Sequence, residues 1–197
     1  MLSHLKGTIA RVEEQEVVIE SAGLGFSILV PNASIFQKGS QVELQIYMHW
    51  NQDQGPSLFG FSSLLEKKIF LLVISCSGIG PKIALALLHH MTPAAFVQAI
   101  STGNLDALSS VSGIGRKKAE QLVVQLRHKI EPLTEAVEEF VESADTLRWK
   151  DVSDALGSLN YSRQEVTRAM QYLHEKHAGN QVPFNELLRH ALSYLAR

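Results

Sequence analysis

The sequence predicts a multi-domain protein of mixed α and β class, in which a small antiparallel β-barrel precedes two helical domains. Three observations predict this class. Apolar and polar residues alternate through residues 1–63, helix-start signals recur from position 63 onward, and an acidic stretch sets residues 147–197 apart. A chain of 197 residues can form two or three such domains, each with a modest core.

The first predicted domain covers residues 1–63 and shows the period-two alternation of β-strands. Its alternating apolar residues are Val17, Ile19, Phe26, Ile28, Val30, Val42, Leu44, Ile46 and Met48. Turns rich in glycine and proline separate the short strands, which favours a barrel with one helical turn near Ala33–Phe36. A β-sandwich is the alternative, although it usually needs more strands.

Helix-start signals define the remainder of the chain. Ser63-Leu64-Leu65-Glu66 has the pattern of a capping box, in which side chains satisfy the free amides of a first helical turn. Thr92-Pro93 and Ser162-Arg163-Gln164-Glu165 are further starts. We expect a helical domain over 64–130 and a compact bundle over 147–197. The short helices of that bundle are predicted at 149–157, 163–176 and 184–196.

Charge is distributed unevenly, and this decides where a polyanion can bind. Residues 1–64 carry 3 basic and 6 acidic side chains, 65–130 carry 8 and 3, 131–146 carry 0 and 6, and 147–197 carry 7 and 5. Positive charge is therefore concentrated in the first helical domain, although the whole chain has a formal charge of −2. Because residues 131–146 repel one another, we predict a flexible acidic linker there, with some helicity in its glutamate-rich part.

Composition favours a cytoplasmic protein with no membrane partner. The longest apolar stretch, near Ile69–Ile74, is too short to span a bilayer, and the N-terminus lacks the features of an export signal. Cys76 is the single cysteine and cannot form an internal disulfide. We interpret it as a small core residue in a reducing compartment.

An internal repeat marks the basic domain. A shift of 35 positions aligns residues 77–88 with residues 112–123, and seven of the twelve aligned residues are identical. Each copy contains Ser-Gly-Ile-Gly followed by a lysine and a helical pattern. Two glycines permit backbone conformations closed to other residues, and the next helix begins with free N–H groups that favour an anion such as phosphate.

The duplication distinguishes a phosphate site from an ordinary turn. A single Gly-Ile-Gly is more simply a tight helix–helix connection, but two copies, each followed by lysine in the one strongly basic segment, favour nucleic-acid binding. Neither copy matches the glycine-rich motifs of nucleotide-binding loops. Nothing in the repeat reads bases, so we expect contacts to the DNA backbone.

These two copies look like paired helix-hairpin-helix motifs, and the whole chain resembles the RuvA family of Holliday junction branch-migration subunits. The resemblance is most specific at Gly78–Leu88 and Gly113–Gln125, and Gly7-Thr8-Ile9, Leu58–Phe61 and Ala155–Tyr161 support it. It implies an OB-fold barrel, a tandem helix-hairpin-helix domain that binds junctions, and a third domain that docks on the hexameric RuvB ATPase.

The resemblance also implies an assembly and a set of partners. It suggests a four-fold symmetric homotetramer, or two tetramers forming an octamer, on an open four-way DNA junction. The RuvC resolvase is a further suggested partner. The implied processes are DNA recombination, DNA repair and the SOS response to DNA damage, and the chain itself is implied to be a non-catalytic subunit without a cofactor.

The motifs and the resemblance together give the candidate site residues. The predicted DNA-binding residues are Gly78, Ile79, Gly80, Lys82, Gly113, Ile114, Gly115, Arg116, Lys117, Lys118 and Arg127. Alignment back from Leu58–Phe61 places an acidic pin in the loop 51–55, where Asp53 stands alone although the family usually shows two neighbouring acids. An ordinary turn residue is the alternative for Asp53. In the last domain, Leu156, Leu159 and Tyr161 are predicted either as a motor-binding surface or as core.

Other functions remain as alternatives. Glycosylases and nucleases also use such hairpins, but Glu120 is the only acid between Gly115 and the acidic linker. His174 and His177 have a spacing that can bind metal, without a third ligand such as cysteine nearby. An adaptor that uses the hairpins only for protein packing would leave the lysines after them unexplained.

Overall fold

The computed structural model describes residues 2–53, 55–177 and 182–195, and at positions 135 and 138–148 it describes the backbone alone. The chain divides into two compact units, residues 1–137 and 138–197. The predicted barrel and the predicted basic helical domain both fall in the first unit.

A closed five-stranded barrel opens the first unit. Its strands are β1 (His4–Val12), β2 (Glu16–Ser21), β3 (Leu24–Leu29), β4 (Gln41–Asn51) and β5 (Gly55–Phe61). They pair in the order β1-β2-β3-β5-β4, and β1 closes the barrel by pairing antiparallel with β4. The one parallel contact joins β3 to β5 at Leu29 and Phe59. The barrel prediction is confirmed, as is the helical turn, which spans Ala33–Ile35.

Most of the predicted alternating residues form the core of the barrel. Six of them are buried, namely Val17, Ile19, Ile28, Val30, Leu44 and Ile46. Met48 differs, because 38% of it is exposed. The reason is the strand register: β4 pairs with β1 only as far as Gln45, so the barrel interior ends before Met48.

Helix α1 (Leu64–Ile74) joins the barrel to the helical part of the first unit. Ser63 accepts a hydrogen bond from the Glu66 amide at 3.1 Å, and the Glu66 carboxylate accepts one from the Ser62 amide at 2.9 Å. Burial raises the pKa of Glu66 above its usual range, although hydrogen bonds from the backbone of Ser62 and Ser63 to its carboxylate oppose the shift. On the buried face, Phe70 contacts the ring of Phe61 with a centroid distance of 4.8 Å.

Four more helices follow α1 in the first unit before residue 130. They are α2 (Pro81–His90), α3 (Pro93–Thr102), α4 (Leu105–Ser109) and α5 (Arg116–Leu126). Thr92 accepts a hydrogen bond from the Ala95 amide at 3.2 Å, which confirms the predicted helix start. His89 holds α2 to the barrel, since its Nδ1 lies 2.7 Å from the Pro31 carbonyl oxygen.

The acidic segment lies in a long helix, α6 (Glu131–Ser158). The helicity expected in its glutamate-rich part therefore extends through the whole segment and into the helix predicted at 149–157. Leu133 and Val137 are buried within the first unit, so that unit continues past position 130. A flexible linker over 131–146 stays a prediction, because a helical backbone conformation by itself measures no motion.

In the second unit, the end of α6 packs against α7 (Arg163–His177) and α8 (Phe184–Leu195). These bounds agree closely with the helices predicted at 163–176 and 184–196. The core of this unit consists of Val152, Leu156, Ala169, Leu173, Leu187 and Ala191. The predicted capping box starts α7, since Ser162 and Glu165 exchange hydrogen bonds. The Ser162 hydroxyl and the Ser162 amide both donate to the Glu165 carboxylate, at 2.6 and 2.8 Å, and these two hydrogen bonds lower the pKa of that carboxyl.

Within the described residues, no single helix is long and apolar enough to cross a membrane. Helices α2 and α3 taken together have the length and composition of a membrane span, but the chain bends by 102° between them.

Candidate nucleic-acid interface

The sequence repeat folds into two equivalent turns. We name residues 75–80, between α1 and α2, the first hairpin, and residues 110–115, between α4 and α5, the second hairpin. Gly78 has a φ of +77° and Gly113 a φ of +88°, a left-handed conformation that side chains other than glycine rarely adopt. The duplicated glycines therefore serve the same backbone geometry in both copies.

Hydrogen bonds repeat with the same offset of 35 positions. The Ile79 amide donates to the Cys76 carbonyl at 3.2 Å, and the Ile114 amide donates to the Val111 carbonyl at 3.0 Å. Both isoleucines are buried, at 6% and 2% exposure. They turn inward and fix the hairpins, so they shape the site rather than present a surface to phosphate.

Two serines, Ser75 and Ser110, extend the repeat to positions before the aligned segments 77–88 and 112–123. The Ser75 hydroxyl donates to the Leu72 carbonyl at 2.7 Å, and the Ser110 hydroxyl donates to the Ala107 carbonyl at 2.8 Å. Each satisfies a carbonyl at the end of the helix that enters a hairpin. The signal was available, because Ser75 and Ser110 are identical residues 35 positions apart.

The helices that leave the hairpins begin without a side-chain cap. In the described first unit, Ser63, Thr92 and Asn104 accept hydrogen bonds from the first turns of α1, α3 and α4. Helices α2 and α5 begin instead at Gly80 and Gly115, with no side-chain cap hydrogen bond. Their first N–H groups therefore remain available to an external acceptor, and the positive end of the helix dipole favours an anion.

The two helix starts differ in the number of donors. Pro81 has no N–H group, so α2 presents its first free amide at Lys82. Helix α5 presents the amides of both Arg116 and Lys117 at the equivalent positions. The helix start after the second hairpin therefore offers one more backbone N–H group to an anion than the helix start after the first.

Cationic side chains surround these helix starts. Lys82 and Lys117 occupy the second position of α2 and α5, and both are exposed. Arg116 is also exposed and lies 3.8 Å from Glu120, the acid that an enzymatic alternative would require. At this exposure such an ion pair contributes little and leaves Arg116 free to exchange partners.

Lys118 and Arg127 have different surroundings from the other predicted cations. Lys118 donates from Nζ to the Gly113 carbonyl at 3.0 Å, so it holds the second hairpin together from within. Arg127 lies at the opposite end of α5, about 16 Å along the helix axis from Arg116. The structure therefore brings Lys117 and Arg116 to the hairpin, but not Arg127.

The predicted pin lies at the tip of the hairpin formed by β4 and β5. The Asn51 side chain accepts a hydrogen bond from the Asp53 amide at 2.8 Å, which orders the turn. Asp53 is exposed. Gln54 lies outside the described residues. The structure thus presents Asp53 to solvent, and the pin role stays a prediction.

Known family models match both the barrel and the helical part of the first unit. Residues 1–60 match the RuvA N terminal domain, and residues 70–128 match the SAM-like helix-hairpin-helix tandem, which contains both hairpins. A protein of Symbiobacterium thermophilum is 35% identical over 207 residues and covers all of both chains. A protein of Tropheryma whipplei is 35% identical over 197 residues, covering 100% of this chain and 99% of its own. Both are named Holliday junction branch migration complex subunit RuvA.

The chain belongs to the RuvA family. A third relative with the same name, from Oceanobacillus iheyensis, is 30% identical over 204 residues and covers all of both chains. The similarity includes the second unit, which neither domain match reaches. The OB-type barrel and the tandem helix-hairpin-helix motifs expected for this family are thus confirmed.

The second unit of this RuvA-family chain places the three predicted motor-binding residues differently. Leu156 is completely buried in its core, so it cannot form part of a docking surface, and we remove it from that prediction. Leu159, in contrast, is 53% exposed. Tyr161 is half-buried against the same core. The prediction of a motor-binding surface is therefore restricted to Leu159 and Tyr161.

Cys76, His174 and His177 are the remaining residues that the sequence singled out. Burial raises the pKa of the Cys76 thiol, so the thiol stays protonated at neutral pH. No group of three metal-ligating side chains occurs among the residues that the structure describes. His174 stacks on Trp149 at 4.0 Å, while His177 shares a hydrogen bond of 2.9 Å with His190.

Proposed function

We propose that this chain binds four-way DNA junctions through the phosphate backbone, with both hairpins as the contact surfaces. One observation carries the proposal: α2 and α5 each begin after a glycine hairpin with uncapped amides and an exposed lysine in the first turn. Backbone amides and a lysine at a helix start are the groups that bind phosphate. The names of the RuvA relatives supply the form of DNA, a Holliday junction.

Recognition of the junction is by shape rather than sequence. Amides and lysines contact phosphates, which are present at every nucleotide and carry no base information. In a homotetramer with four-fold symmetry, four copies of each hairpin face the four arms of one junction. Two tetramers face to face, an octamer, would enclose the same junction from both sides.

Asp53 supports an open junction in this proposal. The side chain is exposed at the tip of a turn, where four copies near the symmetry axis repel phosphates and keep the separating strands apart. A single acid in each chain gives a weaker repulsion than a pair, and it is partly screened by salt.

The second unit recruits the RuvB ATPase and stimulates it, so that the complex drives branch migration during recombination and repair. The exposed side chain of Leu159, two residues before Tyr161 in the chain, is the surface that supports this part of the proposal. The chain itself supplies binding and orientation, and catalysis belongs to the motor. The RuvC resolvase is a further partner for the same junction complex.

A gel-shift comparison tests the DNA part of the proposal. A synthetic four-way junction and a linear duplex with the same arm sequences are titrated with the protein at two salt concentrations. We expect tighter binding to the junction at both concentrations, and a steep loss of affinity with salt for both DNAs. Equal affinity for junction and duplex would show general polyanion binding and refute junction recognition.

A substitution in the second unit tests the motor part. Leu159→Ala should leave junction affinity unchanged and reduce stimulation of the RuvB ATPase, because the side chain is exposed and lies outside both hairpins. Leu24→Ala is a matched control, since Leu24 is also an exposed leucine, at 63%, but lies in the barrel. Normal stimulation by the Leu159 variant would exclude this surface as the coupling site.

A further inference from the structure

The hairpin of β4 and β5 carries a tryptophan that the phosphate contacts do not use. Trp50 is 65% exposed and lies one residue before the end of β4. It pairs across the hairpin with Pro56, next to the closing pair of Asn51 and Gly55. An indole at this exposure stabilises no core, so most of its ring surface is open to a ligand.

Strand alternation explains why the side chain of Trp50 is exposed to solvent. Leu44 and Ile46 point into the barrel and are buried, and with a period of two Met48 and Trp50 continue the same face. The register with β1 stops at Gln45 and is followed by one hydrogen bond from the Ile46 amide to the Ser3 carbonyl, so beyond Ile46 strand β4 pairs with β5 alone. Trp50 therefore extends an apolar face past the end of the barrel, where only the two strands of the hairpin remain.

The surroundings of Trp50 favour a nucleobase over a phosphate or an apolar protein surface. The turn beyond it contains Gln52, whose side-chain amide can form hydrogen bonds, and Asp53, which carries one negative charge. A carboxylate at this distance along the chain repels the DNA backbone but not an uncharged base. Trp50 is also absent from the lining of the nearby apolar groove, which Met48, Pro56 and Leu58 help to form.

We propose that Trp50 is a stacking site for an unpaired base at the crossover of a bound junction. The inference rests on the proposed function, since the pin hairpin must reach the point where strands separate. There the acid keeps the backbone away, while the indole receives the base that has lost its pairing partner. Aromatic stacking suits this task because every base has a π face, so no sequence preference is needed.

Tryptophan fluorescence provides a direct test, because the chain has only two tryptophans. The variant Trp149→Phe leaves Trp50 as the single emitter and retains an aromatic ring beside His174. Titration with the four-way junction should quench the Trp50 emission as the complex forms. The linear duplex of the same arm sequence should quench it much less, because all of its bases are paired.

Affinity measurements with substitutions at Trp50 give a second readout. Trp50→Ala should lower junction affinity at least about tenfold, the effect of losing one stacked base, and leave duplex affinity unchanged, whereas Trp50→Phe should retain most of the binding. A junction with 2-aminopurine beside the crossover should be dimmer in the wild-type complex than in the Trp50→Ala complex. Leu24→Ala, at 63% exposure on β3, is the matched control and should change none of these values.

The outcomes separate this inference from the proposed function. If the gel shift shows a specific junction complex while Trp50 emission and the Trp50→Ala affinity are unchanged, the stacking site is wrong and junction binding stands. A blue shift of Trp50 emission that depends on protein concentration without DNA would assign the residue to a subunit contact and overturn the inference. If no specific junction complex forms, the proposed function fails and the stacking site fails with it.

Discussion

Replacement of Lys117 by alanine is the sharpest single test of the second hairpin. The side chain is exposed at the second position of α5, and no ion pair joins it to any described residue. One phosphate contact contributes about 0.9 to the slope of log affinity against log salt. If four chains each lose one contact, the slope should flatten by about 3.6, so the affinity ratio between 50 and 200 mM salt should shrink about 150-fold.

The assay is a junction titration by fluorescence anisotropy at four or more salt concentrations, with wild-type protein and the Lys117→Ala variant. Lys150→Ala is the control, since it removes an equal charge from an exposed residue in the second unit and should leave the slope unchanged. A thermal unfolding curve checks that the fold is intact. If Lys117→Ala reproduces the wild-type slope within about one unit, Lys117 does not neutralise phosphate and the assignment of the hairpin fails.

Three further outcomes follow from the structure. Gly113→Ala should destabilise the protein by about 1–2 kcal/mol, because alanine is strained at the left-handed φ of this position. The loss should be larger than for Gly78→Ala, because of these two positions only Gly113 would place the added methyl near α2, 3.3 Å from Cγ1 of Ile83. Urea unfolding of both variants checks this order. Asp53→Asn should leave junction affinity equal or slightly higher and reduce strand opening, measured by 2-aminopurine at the crossover; a lower affinity would favour the turn-residue alternative. Leu156→Ala should lower the free energy of unfolding of the second unit by about 2–5 kcal/mol, whereas Leu159→Ala should change it by no more than about 0.5 kcal/mol. Equal effects of the two substitutions in denaturant titrations would contradict the difference in burial.

Much of the fold was predictable because local signals agree with tertiary structure. Period-two alternation identified the buried residues of the barrel, since one face of each strand meets a core. The hairpins were predictable for a different reason: a left-handed turn restricts the residue type to glycine, and duplication made that restriction visible twice.

Other features depend on competition that sequence patterns do not resolve. In residues 131–146, like charges favour an extended linker, while glutamate and alanine have high helix propensity, and the structure has a helix. For Leu156 and Leu159, a spacing of three residues suggested a shared face, but Leu159 follows the last residue of α6 and leaves the core. Lys118 matched the basic pattern, yet its bond to Gly113 exists only in the folded hairpin.

Hydroxyl-radical footprinting of a bound four-way junction tests the central claim most directly, because it locates the protected backbone positions. Wild-type protein should protect sugar–phosphate positions on all four arms, in a pattern with the symmetry of the junction. The double variant Lys82→Glu and Lys117→Glu should lose these protections at a protein concentration that saturates the wild-type complex. Protection that persists unchanged in the double variant would contradict phosphate binding by the two hairpins.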